Sequence, residues 1–251
     1  LLRRKVISLL YRLAFGHKNQ RIIFQNRDDQ SQLTELARLS PKKSVLIHGS
    51  GVDLSLYSRK SICMDTPVVL LASRLLVSKG VREFVRAAEL IKTHGFNARF
   101  ILVGEPDLMS TETIHQQELD LWEQQGIVEL WGYRNDMNVV LSSANIVVLP
   151  SYYGEGLPKV LIEAAACGRA VITTDHPGCR DAIKDGVTGL LVPVRNVEAL
   201  VTTISSLLND LVRCEEMGRA GRRWAEEMFD VRQVVSEHIC IYEDLLEKVS
   251  S

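Results

Sequence analysis

The feature of the sequence that most constrains its fold is a regular alternation of short apolar segments with amphipathic ones. Val68–Ala72 and Ile146–Pro150 are apolar throughout, which is typical of strands that are buried on both faces of a sheet. Between them, Val81–Lys92 repeats its apolar residues at the spacing of one helical face. Strands that alternate with helices form βαβ units with right-handed crossovers. The pattern therefore predicts an α/β protein with a doubly wound parallel sheet.

The remaining segments continue the alternation along the chain. Further strands are predicted at Arg21–Gln25, Val45–Ile47, Arg99–Val103, Ile127–Leu130, Ala170–Thr173 and Gly189–Val192. Further helical segments are predicted at Asp28–Leu39, Thr111–Gln124, Asn138–Ser143, Pro158–Cys167 and Asp181–Lys184, and trailing helices at Val197–Asn209, Val212–Met228 and Val231–Lys248. Because sheets of this kind bind ligands beyond the carboxyl ends of their strands, we expect a binding site in the loops that follow the strands.

Bulk composition excludes several classes of function. The formal net charge is -1, so no global positive field attracts nucleic acid. No apolar run approaches the roughly 18 residues of a membrane-spanning helix. The five cysteines are odd in number and form no Cys-x-x-Cys pair, which argues against a disulfide framework or a zinc site. We therefore expect reduced thiols, a cytoplasmic location and no metal site.

The loop after Val68–Ala72 carries two cations. Arg74 and Lys79 lie five residues apart, between the end of this strand and the start of the next helix. Both side chains can converge on an anion at the helix N-terminus, where free N–H groups and the helix dipole already favour negative charge. The segment alone leaves open the alternative of two solvated surface cations.

The loop after Ile146–Pro150 carries two carboxylates. Glu155 precedes a helix that starts near Pro158, and Glu163 lies on the second turn of that helix. Gly156 permits a ligand to approach the backbone closely, and a carboxylate is a good partner for the hydroxyl groups of a sugar or a ribose. The alternative is a helix-start acid and an exposed helical glutamate that bind nothing.

Two further loops carry weaker signals. Gly132 and Tyr133 follow the predicted strand Ile127–Leu130, and a glycine there would expose backbone groups to a flat base. A simple turn is equally consistent with that segment. His176 could reach a bound sugar from the loop after Ala170–Thr173, but a single loop histidine is more often structural.

Taken in order, four segments resemble the family 4 retaining glycosyltransferases, which have the two-domain GT-B fold. These segments are Ile47–Asp53, Ser73–Gly80, the stretch Glu155–Glu163 with its E-x7-E spacing, and Asp185–Pro193. The match covers roughly residues 20–250. It implies that the chain is the C-terminal, Rossmann-like half of a GT-B enzyme, the half that binds the nucleotide sugar.

The resemblance implies a diphosphate site. Arg74 and Lys79 would bind the donor diphosphate, and backbone N–H groups at Gly156 and Leu157 would support the phosphate or the sugar. Together with Glu155, the two cations would form the catalytic set. Direct pairing with cations replaces a metal in such a site, so no cofactor is expected.

The resemblance assigns the rest of the donor to other residues. Glu155 would hold hydroxyl groups of the donor sugar, and Glu163 would hold the ribose. Gly132 and Tyr133 would lie near the base. The chain departs from the family at Pro177-Gly178, where a Gly-Gly pair is common.

The same resemblance implies a division into domains. Residues 1–43 are expected to be the end of a truncated N-terminal acceptor domain, and residues 44–251 the nucleotide-sugar-binding domain with its C-terminal helices. Val231–Lys248 would pack back against the acceptor domain. Residues 1–27 hold seven cations, no acid and a leucine-rich helical face. They predict peripheral contact with the inner face of an anionic membrane, with a buried interdomain helix as the alternative.

The expected function is that of a bacterial retaining glycosyltransferase. It would transfer a sugar from a nucleotide-sugar donor, with UDP preferred over GDP, to a glycan or lipid-linked acceptor in polysaccharide or lipopolysaccharide biosynthesis. Two other classes stay open. A sugar-nucleotide epimerase of the GT-B fold would need acid and base residues in the cleft, and a donor-binding module would bind without turnover.

Overall fold

The computed structural model describes residues 2–250, and a six-stranded parallel sheet forms its centre. In chain order, the strands are β1 (Ile22–Phe24), β2 (Ser44–Leu46), β3 (Val68–Ala72), β4 (Arg99–Val103), β5 (Glu129–Leu130), β6 (Ile146–Leu149), β7 (Ala170–Thr174) and β8 (Gly189–Val192). The large sheet has the order β5-β4-β3-β6-β7-β8, and all its pairings are parallel. This confirms the predicted fold class. The strand order reverses between β3 and β6, the point at which doubly wound sheets bind ligands.

Helices cover both faces of this sheet. They are α1 (Leu2–Ala14), α2 (Arg27–Ala37), α3 (Val81–Thr93), α4 (Gln116–Gln124), α5 (Met137–Ser142), α6 (Lys159–Ala166), α7 (Val197–Leu208), α8 (Leu211–Met228) and α9 (Val231–Ser250). Successive residues of a strand point to opposite faces of the sheet, so they belong to two different hydrophobic cores. Val69 and Leu71 pack with α3, α4 and α7, whereas Val68 and Leu70 pack with α5 and α6. None of these helices, over the part of the chain described, is long and apolar enough to cross a membrane.

The N-terminal part of the chain forms a second, smaller unit. There β1 pairs with β2 in a separate parallel sheet. Helix α9 returns to this unit, where Asn19 donates a hydrogen bond to the carbonyl of Leu245 (2.8 Å) and Arg21 forms an ion pair with Asp244. The chain passes between the two units at Val52 and again just after Phe229, and the Val52 N–H donates to the Phe229 carbonyl at 2.7 Å. The predicted domain boundary, which stays a prediction, falls immediately before β2.

Two predicted elements are shorter than expected. The helix predicted at Thr111–Gln124 begins only at Gln116, because the preceding segment pairs with the loop after β3 instead. The Val77 N–H donates to the carbonyl of Glu112, and the Ile114 N–H donates to the carbonyl of Leu75, each at 2.8 Å. The strand predicted over residues 127–130 shrinks to the two residues of β5 at the edge of the sheet. The predicted N-terminal helical face includes Leu1, which lies outside the described residues.

A buried arginine joins three segments behind the sheet. The side chain of Arg169, which is 0% exposed, donates to the carbonyls of Cys167 and Ala144 at 2.9 Å each and to the carbonyl of Lys60. Burial lowers the pKa of this guanidinium. Its partners are carbonyl dipoles rather than a carboxylate, so Arg169 supplies donors to backbone groups that water cannot reach.

We expect Arg169→Met to lower the free energy of unfolding by about 3 kcal/mol. The substitution keeps much of the side-chain volume but leaves buried carbonyl groups without a donor, at about 1–3 kcal/mol each. Urea denaturation measures the loss. The matched control is Arg99→Met, which removes the solvent-exposed ion pair with Glu129 and should cost less than about 1 kcal/mol. Equal losses in the two variants would contradict this role for Arg169.

Candidate functional site

The loops that follow β3 and β6 pack directly against each other at the point where the strand order reverses. The N–H of Tyr152 donates to the carbonyl of Ser78 at 2.9 Å. Gly80 has φ +77°, and a Cβ placed on it would lie 2.3 Å from the Pro150 carbonyl oxygen. Only a glycine fits at this contact. The contact holds the loop that carries Arg74 and Lys79 beside the loop that carries Glu155.

An ion pair between Lys79 and Glu155 lies at this junction. Lys79 is only 9% exposed, and its Nζ contacts Oε1 of Glu155. The Ser151 hydroxyl lies 3.3 Å from the same carboxylate oxygen. The Lys79 ammonium also lies 4.9 Å from the centroid of the Tyr153 ring. Two residues that were predicted to bind different parts of a ligand therefore neutralise each other.

Arg74 lines a neighbouring cavity of about 590 Å³, which we call the β3–β4 cavity. Its Nη1 donates to Oδ2 of Asp107 at 2.9 Å, and this hydrogen bond raises the pKa of Arg74. Tyr133 also lines the cavity and is 71% exposed. Gly132 lies behind this lining, where its carbonyl accepts a hydrogen bond at 2.8 Å from the N–H of Gly104, a residue that does line the cavity.

Glu163 closes the inner end of the β3–β4 cavity. Its Oε1 accepts a hydrogen bond from the Tyr57 hydroxyl at 2.8 Å, and the Lys159 ammonium lies 3.7 Å from the same oxygen. Burial raises the pKa of Glu163, and it raises that of Tyr57 as well. Oε2 has no hydrogen-bond partner among residues 2–250. One oxygen is thus held by the protein while the other is free to accept a ligand hydroxyl group.

Glu155 and Gly156 line a second opening of about 640 Å³, which we call the β6 cleft. His176 lies on the same wall, and Asp28 and Asp29 at the start of α2 form part of the opposite wall. The N-terminal unit therefore contributes one side of this cleft. Glu155 and Glu163 open onto different cavities, with the start of α6 between them.

The start of α6 offers free backbone donors. Its N-cap residue, Pro158, makes no side-chain capping hydrogen bond. Within the described part of the chain, the N–H groups of Gly156 and Leu157 donate to no protein acceptor. Residues 2–250 also contain no group of three or more His, Cys, Asp or Glu side chains that could hold a metal ion.

Close packing fixes the loop before α6. Gly178 has φ +80°, and a Cβ on it would lie 2.5 Å from the Gly156 carbonyl oxygen and 2.6 Å from that of Glu155. A Cβ on Gly49 would lie 2.7 Å from Cδ2 of Leu157, whose side chain is buried. The departure from the family at residue 177 thus retains the glycine that the packing requires.

Sequence reasoning missed two polar residues that contact the site. Tyr57 holds Glu163, although 106 residues separate them, and no local pattern marks it. Asn26 is recognisable from sequence as a residue type that caps helices, and it does cap α2. Its hydrogen bonds to the carbonyls of Glu155 and Gly156 have no sequence signal.

Comparison with known proteins gives a consistent family. The family model of the group 1 glycosyl transferases matches residues 66–210, more than half of the chain. The chain is 33% identical over 224 residues to N,N'-diacetylbacillosaminyl-diphospho-undecaprenol alpha-1,3-N-acetylgalactosaminyltransferase of Campylobacter jejuni, a match that covers 82% of this chain and 56% of the relative. The chain spans about half the length of the curated relatives that it matches.

Solved structures show the same architecture. Sucrose-phosphate synthase of Thermosynechococcus elongatus superposes with a TM-score of 0.76 at 26% identity, over 90% of this chain and 58% of that one. Alr3699/HepE of Anabaena, in complex with UDP and glucose, superposes with a TM-score of 0.74 at 21% identity, over 97% of this chain and 67% of that one. At that identity the second likeness concerns the fold alone. Sequence and fold agree that the chain belongs to the group 1 glycosyltransferases.

Proposed function

We propose that the chain is the nucleotide-sugar-binding part of a retaining glycosyltransferase. The observation that carries this proposal is the uncapped start of α6 between Glu155 and Glu163, with Lys79 beside it. Free N–H groups, the helix dipole and an ammonium group attract a diphosphate. The two carboxylates, which open onto different cavities, suit hydroxyl groups on either side of it. A diphosphate with hydroxyl-bearing groups at both ends describes a nucleotide sugar.

The β3–β4 cavity suits the nucleoside. Oε2 of Glu163 would accept hydrogen bonds from the ribose hydroxyl groups while Tyr57 holds the other oxygen. Tyr133 and the backbone of Gly132 would lie beside the base. UDP is the proposed nucleotide, and GDP is the competitor that a direct comparison must exclude.

Binding of the diphosphate would break two ion pairs, one between Lys79 and Glu155 and one between Arg74 and Asp107. Phosphate oxygens would displace Glu155 from Lys79 and Asp107 from Arg74, because charge-assisted hydrogen bonds to phosphate are strong. Glu155, once released, would accept hydroxyl groups of the donor sugar in the β6 cleft. Lys79 and Arg74, which pair with carboxylates before the donor binds, would then neutralise the diphosphate. The site would therefore need no metal ion and no other cofactor.

Retention follows from attack on the face that the diphosphate leaves. The bond between the anomeric carbon and the diphosphate oxygen breaks, and the acceptor oxygen bonds to that carbon on the same face. The acceptor proton passes to the departing diphosphate. Catalysis then rests on stabilising the leaving group, with Lys79, Arg74 and the N–H groups of Gly156 and Leu157, and on positioning the acceptor.

The acceptor is proposed from similarity. The name of the Campylobacter relative describes transfer to a sugar on diphospho-undecaprenol. On that basis, we propose a glycan or lipid-linked acceptor in bacterial polysaccharide or lipopolysaccharide assembly for the protein to which this chain belongs. A lipid-linked acceptor would place the reaction at the cytoplasmic face of a membrane.

The first test is a calorimetric titration of the 251-residue chain with UDP, GDP and ADP. We expect UDP to bind most tightly, with the same affinity in the presence of EDTA, because protein cations and backbone N–H groups supply the positive charge. Lys79→Ala should weaken UDP binding about ten- to hundredfold, the effect of losing a hydrogen bond to a charged group.

The control for that titration is Lys92→Ala, at the far end of α3, which should bind UDP like the parent. The proposal would be contradicted by a large loss of UDP affinity in EDTA, or by a failure to bind any nucleoside diphosphate. Incubation with UDP-glucose separates the remaining classes. Slow release of UDP indicates a transferase site, whereas conversion to a different free sugar nucleotide would indicate an epimerase.

The two carboxylates should differ in their effect on UDP affinity. Glu163→Gln should weaken UDP binding about tenfold, because the free oxygen then accepts ribose hydroxyl groups as a neutral amide. Glu155→Gln should leave UDP affinity unchanged or raise it, because it removes the carboxylate that competes for Lys79. Calorimetry with UDP measures both. Losses of the same size in the two variants would refute the division between ribose and donor sugar.

We also propose that α1 makes the peripheral membrane contact. Its side chains at Leu9, Leu10 and Leu13 are more than half exposed, and Arg4 and Arg12 lie on the same helix. Such a helix binds lipid through its apolar face and its attraction to anionic headgroups. Burial of this face against a neighbouring protein domain is the alternative.

Vesicle sedimentation of the chain tests the membrane contact. We expect binding to vesicles that contain phosphatidylglycerol, weaker binding to pure phosphatidylcholine, and a loss of binding when Leu9 and Leu13 are both replaced by Gln. Replacing Leu121 and Val139, which are each 50% exposed on other helices, is the control. Equal binding to both lipids would contradict the membrane contact and favour the alternative, in which α1 packs against a neighbouring domain.

A further inference from the structure

A buried asparagine of the N-terminal unit contacts the loop that carries Glu155. Asn26 lies between β1 and α2, is 0% exposed, and caps α2 by accepting a hydrogen bond from the N–H of Asp29 at 2.8 Å. Its Nδ2 donates to the carbonyls of Gly156 at 2.8 Å and of Glu155 at 3.2 Å. The contact therefore links the two units across 129 residues of sequence.

The amide of Asn26 can take only one orientation here. Its oxygen must face the N–H of Asp29, since that group is a donor, and its nitrogen must face the two carbonyls, since those are acceptors. Nδ2 also lies 2.8 Å from Oδ2 of Asp29. Both polar atoms of the side chain are thus committed, and a carboxylate or a hydroxyl group in its place could not satisfy the same set of partners.

The two carbonyl contacts determine where the loop N–H groups point. In a trans peptide, the C=O and the N–H that follows it point to opposite sides of the chain. A hydrogen bond that holds the Glu155 carbonyl toward Asn26 therefore turns the Gly156 N–H away from it. The bond to the Gly156 carbonyl does the same for the Leu157 N–H. Both of these N–H groups lie in the loop just before α6 and have no protein acceptor among residues 2–250.

The loop that bears these two carbonyls packs between Gln25 and Gly178. A Cβ on Gly156 would lie 2.2 Å from Oε1 of Gln25, the residue before Asn26. On the other side, Gly178 lies against the same two carbonyl oxygens. The loop is confined between the N-terminal unit and Gly178.

We propose that Asn26 is a positioning residue for the donor site, an inference that rests on the proposed function. By holding the carbonyls of Glu155 and Gly156, it aims the N–H groups of Gly156 and Leu157 at the donor diphosphate or sugar. The hold comes from the N-terminal unit, so the donor loop is fully ordered only while that unit is seated against it. Donor binding and docking of the N-terminal unit then reinforce each other.

Asn26→Ser is the variant that isolates this role. Serine caps a helix as well as asparagine does, so α2 stays capped, but it cannot reach the two carbonyls as a donor. Asn26→Asp also keeps the cap and places an oxygen against the carbonyl oxygens. The matched control is Asn196→Ser, which alters an exposed asparagine that caps α7 through the N–H of Ala199 at 2.9 Å.

The first measurement needs no ligand. NMR relaxation of the 251-residue chain gives order parameters for the amides of Gly156 and Leu157, which we expect near about 0.85 in the parent and below about 0.6 in Asn26→Ser. Asn26→Asp should lower them at least as far, and Asn196→Ser should not change them. Unchanged values in Asn26→Ser, or an equal decrease throughout α2, would overturn the proposal.

The second measurement connects the loop with the donor. Asn26→Ser should bind UDP-glucose about tenfold more weakly than the parent, while its affinity for UMP, which lacks the second phosphate and the sugar, should not change. An equal loss for both ligands would indicate general damage and would also overturn the proposal. If the parent binds no nucleotide, the proposed function fails, whereas the order parameters still decide whether Asn26 positions the loop.

Discussion

Parallel pairing brings the carboxyl ends of β3, β4, β6 and β7 to one edge of the sheet, and the chemistry of the molecule depends on that alignment. Each strand must be followed by a crossover, so each carboxyl end opens into a loop with room for a functional side chain. Because the order reverses between β3 and β6, the loops after these two strands face each other. Arg74 and Lys79 come from one loop, and Glu155 comes from the other.

The site also depends on glycines that pack so closely against neighbouring backbone that no side chain would fit. Gly80 and Gly178 each lie against backbone carbonyl groups where a Cβ would clash, and together they fix the backbone around the start of α6. Such a backbone can present N–H groups to an anion without rearranging, which is how a preorganised site differs from a mobile one. The ion pair of Lys79 with Glu155 keeps both charges satisfied at this edge of the sheet.

Local pattern was sufficient for much of this. The apolar run Val68–Ala72 predicted a buried strand, and the glycine-rich stretch before α6 predicted a loop, because burial and turn formation depend on neighbouring residues. It was insufficient wherever the decisive partner is distant in sequence. Thr111 to Ile114 pair with the loop after β3 rather than forming a helical turn. The hydrogen bonds of Tyr57 and Asn26 span more than one hundred residues, and no periodicity encodes them.

The hydrogen bond from Asn19 to the carbonyl of Leu245 joins positions 226 residues apart. Contacts of such separation form late, because closing a long loop costs chain entropy while the βα units between fold through local contacts. During synthesis the segment around Asn19 leaves the ribosome well before α9 does. The segment around Asn19 therefore completes its packing only after the sheet has formed, and it lacks the cover of α9 until that helix has been made.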